Sequence, residues 1–149
     1  MKVVIVGAGT LGLQIARELA AENRDVVVLE RNPDIAKGIA NELDCLVTVG
    51  NGENLDDLGE IGLEDADWFI ALTGSDNANI VACGLVAETF SRPKTIARVR
   101  SPYFISLQSR KRRLLGVDYI LNPEAETAQA VARIIFRGMS SEIIDVKEA

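Results

Sequence analysis

The sequence predicts an α/β fold, a doubly wound parallel sheet of about six strands with helices on both faces. Two observations predict it. Short apolar runs alternate with helical patterns along the chain, joined by short connections. Strict alternation of that kind implies a parallel sheet covered on both sides. The first apolar run, Val3-Val4-Ile5-Val6, also ends in Gly7-Ala8-Gly9-Thr10-Leu11-Gly12, a Gly-x-Gly-x-x-Gly bend that leads directly into a helical pattern. With right-handed crossovers, this bend points to a Rossmann-like sheet with strand order 3-2-1-4-5-6. Ligands of such sheets lie at the carboxyl ends of strands one and four.

Each element has its own signal. Lys2–Val6 reads as the first strand and Leu11–Glu22 as the first helix. Val26–Glu30 is the second strand. Pro33 suits the first turn of a helix that runs to about Glu42. Cys45–Val49 is the third strand, and Leu55–Ile61 a short helix with Gly62 as its stop. Trp68–Leu72 is the fourth strand, with Trp68 expected in core or interface packing. Asp76–Phe90 is a long helix, ended by Ser91-Arg92-Pro93. Thr95–Val99 is the fifth strand, Tyr103–Leu115 a helix closed by Gly116, and Tyr119–Leu121 a short sixth strand. Pro123 starts the last clear helix, Glu124–Arg137, whose apolar face (Ala128, Val131, Ala132, Ile135, Phe136) covers either the sheet or a second subunit. Met139-Ser140-Ser141 reads as a break, and Glu142–Val146 alternates weakly like an isolated strand. The expected organisation is a domain over residues 1–138 and a tail, or the start of a further lobe, over 139–149.

The glycine bend carries chemistry when its context is complete. Here the second apolar run, Val26–Leu29, ends in Glu30. Strand, glycine bend, helix, strand and acid together form a dinucleotide-binding fingerprint. Gly7 permits the tight turn. Gly9 has no Cβ, so a diphosphate can approach the backbone, and Gly12 lets the helix pack close to the strand. The first helical turn then offers unpaired N–H groups and the positive end of the helix dipole. Glu30 is placed to accept hydrogen bonds from ribose hydroxyls. The alternative is a βαβ unit whose crevice is empty, with the glycines serving turn and packing needs alone.

Composition excludes other classes. The chain has 149 residues, 48% hydrophobic and 26% charged, which suits one globular domain with a core. No apolar run approaches the roughly 20 residues that cross a bilayer, and the amino terminus enters a strand at once rather than a secretory signal. The expected location is therefore cytoplasmic. A net charge of −6 argues against a nucleic-acid partner. The one basic run, Arg110-Lys111-Arg112-Arg113, reads as a solvated helix face. Cys45 and Cys83 are isolated thiols in apolar runs, without metal or disulfide spacing. The chain has no histidine, which removes His-based acid/base chemistry, Ser-His-Asp triads and His-ligated zinc together.

Three further segments fall at the same edge of the sheet. Gly50-Asn51-Gly52 follows the third strand; two glycines around an amide suit a turn with positive φ, and Asn51 could instead contact an adenine edge. Thr73-Gly74-Ser75-Asp76 follows the fourth strand. Ser75 or Asp76 caps the next helix, Thr73 and Gly74 form the rim beside a ligand, and Asn79 braces the loop one turn in. Arg98 ends the fifth strand among apolar neighbours and needs a partner, either a phosphate or a loop carboxylate such as Asp76. Glu124 and Glu126 complement the dipole of the last helix, with a metal or ligand role as the lesser alternative for Glu124.

Taken together these residues resemble the TrkA-N family, the amino-terminal lobe of regulator-of-K⁺-conductance (RCK or KTN) domains. The resemblance runs in order through Gly7–Gly12, Leu29-Glu30-Arg31-Asn32-Pro33, Val49–Gly52, Ile61–Asp67, Ala71–Asn79, Ile96-Ala97-Arg98, Leu115–Asp118 and Asn122-Pro123-Glu124. It implies a lobe that binds NAD(H), or in some members ATP or ADP, and regulates rather than turns over. It implies homo-oligomers, often dimers through the last helix and rings beyond them, on a membrane K⁺ channel or transporter subunit. Carried over by position, Gly7, Ala8, Gly9, Thr10, Leu11 and Gly12 cradle phosphate, while Glu30 and Arg31 lie at the ribose. Asn51 and Gly52 with Thr73, Gly74, Ser75 and Asn79 flank the adenosine, and Arg98 faces the phosphates. The family usually has Asp where Asn51 stands, and many members carry Arg in the glycine bend where this chain has Thr10. Arg31 beside Glu30 leaves NADP open as a ligand. The family's carboxy-terminal lobe is expected to be missing here. An oxidoreductase is the competing function. It lacks support from histidine or from a Tyr-x-x-x-Lys pair, since Tyr103 is followed four residues on by Leu107 and Tyr119 by Pro123. A nucleotide-binding module for some other partner is the third reading.

Overall fold

The computed structural model describes residues 1–110 and 113–148, the stretch 139–148 as backbone only. Six strands, β1 (Lys2–Val6), β2 (Asp25–Glu30), β3 (Leu46–Val49), β4 (Trp68–Ala71), β5 (Lys94–Arg98) and β6 (Tyr119–Leu121), form one sheet in the order β3-β2-β1-β4-β5-β6. Every pairing between these strands is parallel. The helices are α1 (Thr10–Ala21), α2 (Pro33–Glu42), α3 (Leu55–Gly59), α4 (Asp76–Thr89), α5 (Pro102–Arg110) and α6 (Pro123–Glu148). The expected architecture and strand order are the observed ones.

The strands are apolar along their length because both faces are covered, and the period-two alternation sorts their side chains. Val4, Val6, Val27, Leu29, Phe69 and Ala71 face one way, where they pack with Leu58 of α3 and Ile80, Cys83 and Val86 of α4. Val3, Ile5, Val26, Val28, Ile70 and Leu72 face the other way, toward Ala16 of α1 and Ile39 of α2. Phe69, Ile5 and Leu29 are fully buried, each worth about 1.5–3 kcal/mol relative to exposure. Burial pushes the Cys83 thiol up to about 12, so it stays protonated in the core.

The register places the carboxyl ends of β1, β2 and β4 side by side. Val6 pairs with Leu29 on one side and Ala71 on the other. The glycine bend therefore emerges between the loops that follow β2 and β4. This brings distant segments of sequence to one edge.

Two expectations fail in the carboxy-terminal third. The helix expected over Tyr103–Leu115 is α5, Pro102–Arg110, and it does not reach Leu114. Leu114 and Val117 instead form an isolated bridge, with Leu115 at φ 48° and Gly116 at φ 84°. A Cβ on Gly116 would lie 2.8 Å from that of Ala87 and 3.0 Å from Gly84 Cα, so the chain must turn left-handed to pass α4. Lys111 and Arg112 of the basic run lie outside the described residues, and Arg113 Nε pairs with Asp118 at 2.9 Å. The break at Met139–Ser141 and the strand at Glu142–Val146 are also not formed, because α6 continues through both to Glu148. No proline interrupts this stretch, and extending an existing helix is easier than starting a lone strand. Val131, Ile134, Ile135 and Phe136 are exposed, so this face of α6 does not cover the sheet.

Candidate functional site

The glycines of the first bend have three different reasons to be there. Gly7 adopts φ 95°, and a Cβ on it would come within 2.9 Å of the Leu72–Thr73 peptide. Gly12 lies against the carbonyl of Gly7, which any Cβ would strike. Gly9 is the opposite case. Nothing lies within 4 Å of its would-be Cβ, because that direction opens into a cavity. Gly9 also sits at the N-cap of α1, where no side chain caps the first-turn amides. A helix start without a cap, facing a cavity, is a ready anion seat.

Glu30 is buried at the end of β2, and its two carboxylate oxygens are both engaged. Oε1 accepts from the amide of Ala8 at 3.1 Å and Oε2 from that of Asn32 at 3.1 Å. It thus ties the glycine bend to the start of α2. A carboxylate has about four lone-pair sites, so capacity for two further donors remains on the cavity side. The Ala8 amide, by contrast, is already used.

The loop after β3 departs from expectation. Neither Gly50 nor Gly52 has positive φ. They are required by close approach instead: a Cβ on Gly50 would lie 2.8 Å from Leu29 Cδ1, and one on Gly52 2.5 Å from Val6 Cγ1. Between them Asn51 makes an Asx turn. Its Oδ1 accepts from the Glu53 amide at 2.9 Å, while its own amide donates to Asp57 at 2.9 Å. That assignment leaves the Asn51 side-chain N–H₂ without a protein acceptor among the described residues.

Asn79 organises the loop after β4. It is fully buried, and its Oδ1 accepts from Thr73 N at 2.9 Å and Thr73 Oγ1 at 2.6 Å. Its Nδ2 donates to the carbonyls of Thr73 at 3.1 Å and Arg98 at 2.8 Å. One amide therefore locks this loop to the end of β5, as a bracing residue should. Ser75 caps α4 by accepting from Ala78 N at 3.2 Å. Asp76 does not pair with the Arg98 side chain. Its carboxylate accepts from the backbone amides of Arg100 and Ser101, the latter at 2.8 Å.

Arg98 finds its carboxylate elsewhere. Its Nη2 donates to Glu124 Oε1 at 2.8 Å, and Arg100 Nε reaches the same oxygen at 3.0 Å. The Glu124 carboxyl is held below the usual range, first by its own backbone amide at the start of α6 and then by Arg98. The Nε of Arg98 is buried with no acceptor among the described residues.

These loops enclose a cavity of about 720 Å³, within the range of small-molecule sites. Of the residues expected to bind a ligand, Gly7, Ala8, Gly9, Glu30 and Arg31 line it on one side. Asn51 and Gly52 line a second side, and Thr73, Gly74, Ser75 and Arg98 a third. Thr10, Leu11, Gly12 and Asn79 do not line it. Gly12 and Asn79 act from behind through packing and hydrogen bonds. Glu53 and Asn77 also line the cavity without having been expected. Asn77 belongs to the polar run after β4, and that run was the available signal.

The "Trk system potassium uptake protein TrkA homolog" of Methanothermobacter thermautotrophicus is 37% identical over 144 residues, 97% of this chain. The chain spans 64% of the length of that relative. The TrkA-N domain of the inner membrane protein ybaL from Escherichia coli superimposes with a TM-score of 0.78 at 19% identity, over 89% of this chain and 95% of that one. The GsuK channel bound to NAD superimposes with a TM-score of 0.70 at 25% identity, over 82% of this chain and 21% of that one. The TrkA-N domain family model matches residues 3–123, from the first strand through the glycine bend, Glu30 and Arg98 to the start of α6, and the chain therefore belongs to the TrkA-N family.

Proposed function

We propose that the chain is a nucleotide-sensing regulatory domain of a K⁺ transport system, with NAD(H) as its ligand and ATP or ADP as the alternative. The observation that carries this reading is the open side of Gly9. Of the three glycines of the bend, only Gly9 has open space where a Cβ would stand, and it lies at a helix start that no side chain caps. A diphosphate fits both features, since the Gly9 amide lies on the cavity wall and the uncapped first turn of α1 behind it adds the positive end of the helix dipole. Glu30 accepts from the ribose hydroxyls on its remaining lone pairs, with Arg31 beside it. Asn51 offers its N–H₂ and Gly52 its closeness to the sheet on one flank of the adenosine. Thr73, Gly74 and Ser75 form the other flank, held in place by Asn79, and Arg98 faces the phosphates.

The reading is regulatory because relatives carry the name of a potassium uptake protein. The exposed apolar face of α6 suits a homo-oligomer. The domain works in the cytoplasm, against a membrane subunit that supplies the pore. No described helix is long and apolar enough to cross a membrane.

The test is thermal melting of the purified chain with NADH, NADPH, ATP and ADP at millimolar concentration. A ligand present at 100 times its Kd should add about 2.7 kcal/mol of stability. A rise in Tm with NADH is expected, and ATP or ADP ranked against it fixes the ligand class. No rise with any of the four contradicts the proposal. Co-purification with a K⁺-transporter membrane subunit tests the partner, and its absence across such subunits contradicts that part alone.

A further inference from the structure

Arg98 enters the cavity with one side-chain nitrogen engaged and another stranded. Nε and Nη2 form one edge of the guanidinium fork, an edge whose spacing suits two oxygens of one anion. In this structure Nη2 has Glu124 Oε1 and Nε has nothing, so the edge is half used. The same Glu124 oxygen also serves Arg100 Nε at 3.0 Å. Two cations thus share one carboxylate oxygen at the first turn of α6, and one of them lines the cavity.

We propose that Glu124 is a placeholder for the ligand's phosphate: an incoming phosphate takes over Arg98, Glu124 falls back on Arg100, and occupancy of the cavity is thereby linked to the seating of α6. The inference rests on the nucleotide reading and adds a competitor to it. The exchange leaves each charged group with a partner. A phosphate brings enough oxygens to meet Nη2 and the stranded Nε together. Glu124 is half exposed, with 53% of its side chain open to solvent, and it keeps both Arg100 and the N-terminal dipole of α6. The linkage is reciprocal, because whatever the ligand takes from the Arg98–Glu124 pair, the pair takes from ligand affinity. Since α6 carries the exposed Val131, Ile134, Ile135 and Phe136, the exchange connects the cavity to the surface where a second copy would sit.

The experiment titrates ADP, with adenosine as the phosphate-free probe, into the full chain and into Glu124→Gln, Arg98→Gln, Arg100→Gln and the Arg98→Gln/Glu124→Gln double variant. Removing the competing charge should tighten ADP about five-fold or more in Glu124→Gln and leave adenosine unchanged. Arg100→Gln should act in the opposite direction and weaken ADP, since Glu124 then has Arg98 alone to hold. The gain from Glu124→Gln should vanish in the Arg98→Gln background. Equal or weaker ADP binding by Glu124→Gln overturns the exchange, as does a gain that persists without Arg98. Failure of both ADP and adenosine to bind the unaltered chain overturns the nucleotide reading itself. Binding of both probes with an unaltered response to Glu124→Gln overturns the exchange alone.

Discussion

The two ends of the sheet use polar groups in different ways. At the amino ends of the strands they close on one another. Lys2 Nζ donates to the carbonyls of Ile61 and Gly62, and the Lys2 amide donates to Asp67, which also holds Arg92. Thr95 Oγ1 bonds the Gly116 carbonyl at 2.5 Å, and Asp118 accepts from the Thr95 amide at 2.9 Å. At the carboxyl ends several groups instead lack a protein partner among the described residues. The start of α1 has no side-chain cap, the Asn51 N–H₂ has no protein acceptor among the described residues once Oδ1 accepts from Glu53, and Arg98 Nε is stranded. The same six strands carry both ends. The unmet donors named here gather where the proposed ligand would sit, and they suit an anion or another acceptor.

Substitutions at the two ends should therefore separate stability from binding. The largest effect is expected at Gly12, where Gly12→Val drives a side chain into the Gly7 carbonyl. Overpacking there should cost about 3 kcal/mol or more, read as a lowered midpoint in urea, and it would abolish any ligand effect with the fold. Asn79→Ala comes next. It leaves buried backbone groups of Thr73 and Arg98 unpaired and should cost about 2–3 kcal/mol, with ligand affinity reduced because the rim loosens. An unchanged affinity would show that the β4–α4 loop is not part of the site. Thr95→Val probes the opposite end. It should cost about 1–2 kcal/mol in urea while the nucleotide-induced Tm shift stays as it was. A lost shift would blur the distinction between the two ends.

Much of this was legible in the sequence, and the reasons are physical. The strand order and the bend follow from local patterns, because apolar runs, glycines and caps act within a few residues. Asn79 could be read as a brace because it lies one turn beyond a cap. Three features were not legible. Gly50 and Gly52 are glycines because of Leu29 and Val6, which meet them only after folding. Arg98 pairs with Glu124 rather than Asp76, because Asp76 is consumed by the amides of Arg100 and Ser101. The continuation of α6 through Ser140 and Ser141 reflects helix propagation, which a five-residue alternation cannot outweigh.

The smallest effect is a pH dependence. The Glu124 carboxyl is held low in the folded chain, chiefly by its own backbone amide and by Arg98. Its folded pKa lies below the unfolded one, so its contribution is complete above the ordinary glutamate value and fades as pH falls through the folded value. The Tm difference between the unaltered chain and Glu124→Gln should accordingly shrink between about pH 6 and pH 3. A difference that grows on acidification would mean the carboxylate is not stabilised there.

The most direct measurement of the central claim is nucleotide-induced stabilisation of the unaltered chain beside Gly9→Leu. Nothing in the protein lies where that side chain would begin, so both chains should melt at nearly the same temperature without ligand. NADH or ADP should raise the Tm of the first and leave that of the second unmoved. An equal rise in both would put the ligand somewhere other than the glycine bend, and the account would be wrong.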